Sequence, residues 1–111
     1  MGSGLRRNDG VGLGVEKQFF VYMMASQKNG TIYIGVTSDL RKRAWEHKND
    51  AVDGFTQKYE VHRLVWYEPH ENAESAITKE KQMKEWKREW KIKRIEEMNP
   101  NWNDLYERAC K

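Results

Sequence analysis

The dipeptide Asn29-Gly30 separates two runs of aromatic and β-branched residues, at positions 18–25 and 31–37. Each run has the length and the composition of a β-strand. Asn and Gly both tolerate positive φ angles, so Asn-Gly between two such runs is the strongest short-range signal for a β-hairpin. The sequence therefore predicts two antiparallel strands joined by a tight turn.

Further elements follow from capping residues and from the spacing of apolar positions. Thr37 or Ser38 is expected to cap a helix that ends near residue 50, and residues 61–68 to form a third strand that Pro69 closes. Residues 72–98 are expected to form a long helical stretch, and residues 102–109 a short last helix. The pattern predicts an α+β fold with helices packed on a three-stranded sheet.

The composition indicates one small folded domain. Residues 1–17 hold five of the eight glycines and no hydrophobic period, so we expect a flexible leader or tag there and a single domain over residues 18–111. One cysteine excludes an intramolecular disulfide and favours a reducing compartment. The longest apolar run has seven residues, whereas a membrane helix needs about 20. We therefore expect a cytoplasmic protein without a membrane partner.

Ionisable side chains occupy helix positions where apolar ones belong. On the first predicted helix, Arg43 and His47 lie one turn apart beside apolar neighbours. On the long helix, Glu80 interrupts a stripe that includes Ala76 and Met83. Burying a lone carboxylate costs several kcal/mol, so Glu80 must be paired or must bind a cation. A purely structural Arg43–Glu80 ion pair would also meet this requirement.

The second strand combines a phenol with a glycine on one face. Alternation places Tyr33, Gly35 and Thr37 together, with the apolar residues of the run on the core face. Tyr22 of the preceding strand is expected to lie near Tyr33, and Gly35 to leave open space that a ligand can approach. A cross-strand tyrosine pair without any ligand is the alternative. With Arg43, His47 and Glu80 on facing surfaces, these groups would form a site that processes a polyanion.

Residues 79–95 carry a local excess of positive charge. They hold eight Lys or Arg against three Glu, with Trp86 and Trp90 interleaved. Basic residues with aromatics suit a nucleic-acid backbone. The alternative is that the tryptophans anchor the helix on the core while the lysines face solvent. Arg41 and Lys42 would extend a basic rim around the site.

These residues, taken in order, resemble the GIY-YIG nuclease superfamily, and more closely its small stand-alone bacterial members. The resemblance spans about residues 19–106. Its carriers are Phe20-Val21-Tyr22, Tyr33-Ile34-Gly35, Thr37 to Arg43 with His47, Gly54-Phe55-Thr56, Ala76-Ile77 with Glu80 to Lys84 and Trp86, and Asn99-Pro100-Asn101-Trp102. The resemblance implies a three-stranded antiparallel sheet flanked by helices, and divalent-metal-dependent cleavage of a phosphodiester bond.

The resemblance also implies a role for each matching residue. Tyr22 and Tyr33 match the two motif tyrosines, Arg43 would grip the phosphate, and Glu80 would hold one Mg²⁺ or Mn²⁺. Tyr33 or His47 would take the proton from the attacking water. Contacts to nucleic acid are expected at Gly35, Thr37, Arg41, Lys42, Lys84 and Asn99. The resemblance implies that the protein is a DNA endonuclease, which a protein partner would help to target. The alternative is a non-catalytic nucleic-acid-binding module with the same fold.

Two positions depart from the family pattern. Phe20 stands where the family name has Gly, and Val36 stands where some of these nucleases carry Lys. A phenol ordinarily has a pKa near 10, so a tyrosine acts as a base at neutral pH only beside a cation. The Val36 position therefore leaves open whether Tyr33 or His47 is the base.

Overall fold

The computed structural model describes residues 18–49, 51 and 58–109. The expected leader at residues 1–17 and the motif Gly54-Phe55-Thr56 lie outside these residues. No helix within the described ranges is long and apolar enough to cross a membrane.

The predicted hairpin is present, with strands β1 (Phe19–Ala25) and β2 (Ile32–Thr37) paired antiparallel. Asn29 takes a positive φ of 60°, whereas Gly30 does not. Gly30 is needed for space instead, because a Cβ there would lie 2.3 Å from the Ser26 Oγ. The turn closes through a hydrogen bond from the Gly30 N–H to the Gln27 carbonyl at 2.9 Å.

A third strand, β3 (Arg63–His70), pairs antiparallel with β1 and completes a sheet in the order β2-β1-β3. The predicted α+β architecture with a three-stranded antiparallel sheet is confirmed. The strand begins two residues later than expected and continues through Pro69. Because β3 is an edge strand, the missing N–H of Pro69 leaves no gap in the middle of the sheet.

Helix α1 (Leu40–Lys48) begins after Asp39 rather than after Thr37 or Ser38. The Asp39 carboxylate accepts a hydrogen bond from the Lys42 N–H at 3.1 Å. The Thr37 hydroxyl accepts from the Asp39 N–H at 3.0 Å and so fixes the turn that leads into the helix. The expected cap was wrong by one or two residues, because three successive polar side chains compete for this role.

The expected long helix is two helices, α2 (Ala73–Lys84) and α3 (Arg88–Met98), and a short α4 (Tyr106–Ala109) follows. Asn72 caps α2 as predicted, through a 2.8 Å hydrogen bond from the Ser75 N–H. The helical stretch is interrupted at residues 85–87, where Trp86 packs against the core cluster that contains Met83 and Ile95. The free energy gained by burying the Trp86 indole outweighs the cost of interrupting the helix. This is an effect of tertiary packing, which the spacing of residues along the sequence does not reveal.

The core has two parts, one on each face of the sheet. Val21, Met23 and Ala25 of β1 face α2 and α3, whereas Tyr22 and Met24 face α1. Helices α1 and α2 therefore lie on opposite faces. We expected the helix faces that carry Arg43, His47 and Glu80 to be turned toward one another, and this expectation is wrong.

Candidate active site

Tyr22 and His47 form the buried centre of the candidate site. The Tyr22 Oη lies 2.9 Å from the His47 Nε2, and each residue exposes only 1% of its surface. Strand β1 directs Tyr22 toward α1, and the helix places His47 one turn beyond Arg43. Tyr22, Arg43 and His47, which the sequence analysis assigned to one site, therefore have a common location in the structure.

Tyr33 completes an aromatic cluster with these two side chains. Its ring centroid lies 6.3 Å from that of Tyr22 and 5.1 Å from that of His47. The predicted proximity of the two phenols is confirmed. Unlike Tyr22 and His47, Tyr33 is only partly buried. Tyr33 is therefore the member of the cluster that a solvent molecule can reach.

Gly35 makes room for the Tyr22 ring. The two residues are paired across the hairpin, and a Cβ on Gly35 would lie 2.5 Å from the Tyr22 Oη and 2.7 Å from its Cζ. The expectation that Gly35 leaves space open for a ligand is wrong, because a neighbouring phenol fills it. Gly35 does mark a close approach, as glycine in a strand often does, but the group that approaches is the Tyr22 ring and not a ligand.

The proton of Tyr22 is held firmly. Burial raises the pKa of the Tyr22 phenol well above its ordinary value, the neighbouring Tyr33 adds to this, and the Arg43 guanidinium opposes it. Arg43 can only donate hydrogen bonds, so the Tyr22 oxygen accepts on that side, and the Tyr22 hydroxyl also shares the 2.9 Å hydrogen bond with the His47 Nε2. Both side chains are almost fully buried.

The raised pKa of Tyr22 predicts a loss of stability at high pH. Above about pH 10 the unfolded chain releases this proton while the folded chain retains it, so the free energy of unfolding falls by about 1.4 kcal/mol per pH unit. The contribution is complete below that pH. Urea unfolding of the wild type and Tyr22→Phe between pH 8 and 11.5 measures it. The difference in free energy between the two should shrink as the pH rises; a constant difference would contradict the buried phenol.

Arg43 lies at the rim of the cluster and pairs with Glu46, not with Glu80. The Arg43 Nε to Glu46 Oε1 distance is 3.0 Å. The two side chains line a cavity of about 130 Å³ with Thr37, Ser38, Asp39 and Lys42. The structural Arg43–Glu80 ion pair is therefore ruled out. Glu46 was missed, although its i,i+3 spacing from Arg43 on α1 is a signal for such a pair.

Glu80 lies on α2 and pairs with Lys84, one turn away. The Glu80 Oε2 to Lys84 Nζ distance is 2.6 Å, and 16% of the Glu80 side chain is exposed. Lys84 in turn lines a cavity of about 250 Å³ with Tyr33, Ile32, Ile34 and Lys91. The two cations Lys84 and Lys91 thus lie along the edge strand β2, in a cavity that Tyr33 also lines. Lys91 was not expected at the site.

Glu80 is the carboxylate that would hold a divalent cation at this site. Within residues 18–49, 51 and 58–109, no group of three or more His, Cys, Asp or Glu side chains is arranged to hold a metal ion. Mg²⁺ nevertheless suits a lone carboxylate, because it keeps several waters and takes further oxygens from a substrate phosphate. The Lys84 side chain is 53% exposed, so its ammonium can leave Glu80 without opening the core. Glu80 therefore fits Mg²⁺.

Of the remaining predicted contacts, Thr37 and Lys42 line the cavity beside Arg43, whereas Asn99 lies elsewhere. Arg41 and Lys42 are exposed on α1, and Thr37 is buried in its turn. Asn99 is buried, and its amide donates to the carbonyls of Val65 and Asn103. The structure thus gives Asn99 a structural role in joining α3 to β3 and does not bring it to the cluster.

Comparisons with known proteins settle the family. The model for the GIY-YIG catalytic domain matches residues 18–93. The chain belongs to the GIY-YIG family. It has the nuclease-type fold of that family, and the resemblance seen in the sequence is confirmed.

Two small bacterial proteins are similar to this GIY-YIG chain. UPF0213 protein SSP2268 of Staphylococcus saprophyticus is 28% identical over 78 residues, which are 70% of this chain and 94% of that protein. The solution NMR structure of UPF0213 protein BH0048 from Bacillus halodurans matches 79% of this chain and 93% of that one, with 23% identity and a TM-score of 0.49.

Proposed function

We propose that this protein is a metal-dependent endonuclease that hydrolyses phosphodiester bonds in DNA. The observation that carries the proposal is the Tyr22–His47–Tyr33 cluster with Arg43 at its rim, in a chain of the GIY-YIG family. The cluster combines a reachable phenol, a permanent cation and a buried group that fixes their orientation. These are components of phosphoryl-transfer chemistry.

Tyr33 is the proposed general base. Tyr22 and His47 are almost fully buried and are hydrogen-bonded to each other, whereas Tyr33 is accessible. Lys84 and Lys91 share a cavity with Tyr33 at the edge strand β2. His47 is a positioning residue that holds Tyr22 and packs beneath Tyr33.

Arg43 is the proposed phosphate ligand. Its ion pair with Glu46 lies at the surface, where such pairs contribute little stability. A phosphate can therefore replace the Glu46 carboxylate and take the planar fork of the guanidinium. Lys42 lines the same cavity and adds positive charge.

Glu80 would hold the Mg²⁺ or Mn²⁺ ion, which supplies charge stabilisation at the phosphate and at the leaving oxygen. Glu80 pairs with Lys84, and Lys84 and Tyr33 line one cavity at the edge strand β2. Within the described residues no strand pairs with the outer side of β2, so a phosphate at that edge is accessible from both faces of the sheet. The proposed site therefore lies along β2 rather than in a groove between helices.

Cleavage assays test the proposal. Duplex, single-stranded and branched DNA, with matching RNA, are incubated with Mg²⁺, Mn²⁺ or EDTA. We expect metal-dependent cleavage of at least one DNA substrate, reduced about a hundredfold in Tyr33→Phe. Tyr59→Phe removes an exposed phenol elsewhere and should leave the rate unchanged.

Binding without cleavage in either metal, across every substrate, would favour the non-catalytic alternative. Two ion pairs, Arg43–Glu46 and Glu80–Lys84, favour the non-catalytic alternative. They neutralise the charges of Arg43 and Glu80 without a substrate or a metal ion.

A further inference from the structure

Trp86 and Trp90 differ in what they do, although both lie in the basic stretch at residues 79–95. Trp86 packs against the core cluster formed under α2 and α3. Trp90 exposes 55% of its surface and meets Trp86 in an edge arrangement, with ring centroids 6.4 Å apart. Anchoring on the core therefore accounts for Trp86 and leaves Trp90 unexplained. The exposed indole of Trp90 is therefore accessible to a ligand.

Two cations lie near the Trp86 ring. The Arg94 guanidinium lies 5.1 Å from the Trp86 ring centroid, and the Lys79 ammonium lies 5.9 Å from it. A cavity of about 270 Å³ is lined by Trp86, Trp90, Lys93, Arg94 and Glu97. The Glu97 Oε1 lies 3.4 Å from the Arg94 Nε, so the negative charge of Glu97 is partly neutralised. We call four of these lining residues, Trp86, Trp90, Lys93 and Arg94, the tryptophan surface.

The tryptophan surface is separate from the Tyr22–His47–Tyr33 cluster. Helices α2 and α3 cover the face of the sheet opposite to α1, and the Tyr22–His47–Tyr33 cluster lies on the α1 face. Neither Trp90 nor Lys93 lines the cavities that contain Arg43 or Tyr33. Whatever binds there therefore does so in addition to the proposed catalytic contacts.

We propose that the tryptophan surface binds an unpaired segment of nucleic acid, with one base stacked on Trp90 and the adjacent phosphates on Lys93 and Arg94. The local excess of positive charge suits a polyanion, and an exposed indole stacks on any base because every base has a π-face. Paired bases in a duplex are already stacked and do not offer that face. The ligand class is therefore single-stranded, whether as a free strand or as the unpaired arm of a branched molecule.

Binding is measured in EDTA, so that cleavage plays no part. A fluorescently labelled 12-nucleotide single strand of mixed sequence is titrated with the wild type, Trp90→Ala and Trp45→Ala. Trp45 is the matched control, because it exposes 51% of its surface on α1, away from the tryptophan surface. We expect Trp90→Ala to weaken binding about tenfold, which corresponds to about 1.4 kcal/mol, and Trp45→Ala to leave it within twofold.

Salt dependence tests the phosphate contacts independently. Lys93→Gln is expected to reduce the slope of log K against log salt by about one, and Trp90→Phe to retain most of the affinity. Circular dichroism at each substitution verifies that the fold is intact. Equal affinities for Trp90→Ala and Trp45→Ala, with an unchanged slope in Lys93→Gln, would overturn the proposal and direct attention to a protein partner at this surface.

The outcome is distinguishable from that of the proposed function. Loss of binding in Trp90→Ala, in a protein that cleaves no substrate, would support the tryptophan surface and reject the nuclease. Cleavage that survives in Trp90→Ala at saturating substrate, with unchanged oligonucleotide affinity, would support the nuclease and reject the surface.

Discussion

Glu80→Gln should reduce metal-dependent cleavage by about a thousandfold, the largest effect expected of any single substitution here. The change removes the negative charge that would hold Mg²⁺ and keeps the size of the side chain. It also releases Lys84, which is mostly exposed, so the fold should be unaffected. Rates of cleavage under single-turnover conditions, with thermal unfolding as a check on folding, measure the effect.

Glu85→Gln is the matched control. Glu85 follows α2 directly and is exposed, so the same charge is removed from the same end of the helix. Its cleavage rate should stay within about twofold of the wild type. If Glu80→Gln and Glu85→Gln behave alike, the loss is a general charge effect and the assigned metal role fails.

Gly35→Ala is expected to lower the free energy of unfolding by about 2 kcal/mol, despite the ordinary preference for alanine over glycine in a strand. The added methyl group would occupy the space of the Tyr22 ring, which is almost fully buried between His47 and Tyr33 and has no exposed position to move to. Tyr22 must shift, and the hydrogen bond to His47 must lengthen or break. Urea unfolding followed by circular dichroism measures the change.

A double-mutant cycle makes this assignment specific. In a Tyr22→Ala background the clashing ring is absent, so the additional cost of Gly35→Ala should fall to nearly zero. A Gly35→Ala protein as stable as the wild type, or a cost that is the same in both backgrounds, would mean that the glycine is not required by Tyr22.

Local sequence signals predicted the parts of the fold that neighbouring residues decide. Asn29-Gly30 located the hairpin, and strand alternation placed Tyr22 and Tyr33 together, because both features depend on fixed short spacings. Asn72 was found as a helix cap for the same reason. Asp39 was not, since Thr37 and Ser38 offer the same chemistry at adjacent positions.

Tertiary packing decided what the sequence did not predict. Helical spacing places Arg43 and Glu80 on apolar faces but contains no information on which face of the sheet each helix covers. The interruption between α2 and α3 depends on the burial of Trp86. The sequence predicted a continuous helix through this residue. The expectation of open space at Gly35 was wrong because the Tyr22 side chain fills that space. Tyr22 is 13 positions earlier in the sequence, and only the strand register shows that the two residues are paired.

We propose that a cation on Glu80 acts together with the Tyr22–His47–Tyr33 cluster at one edge of the sheet, although α1 and α2 lie on opposite faces of it. Paramagnetic broadening by Mn²⁺ in ¹⁵N-labelled protein tests this directly, without requiring cleavage. The account predicts that Mn²⁺ broadens the amide signals of Glu80 and Lys84 together with those of Tyr33 and Gly35 in the wild type and in Glu85→Gln, and that it does not in Glu80→Gln. Broadening confined to α2, or broadening that persists in Glu80→Gln, would contradict it.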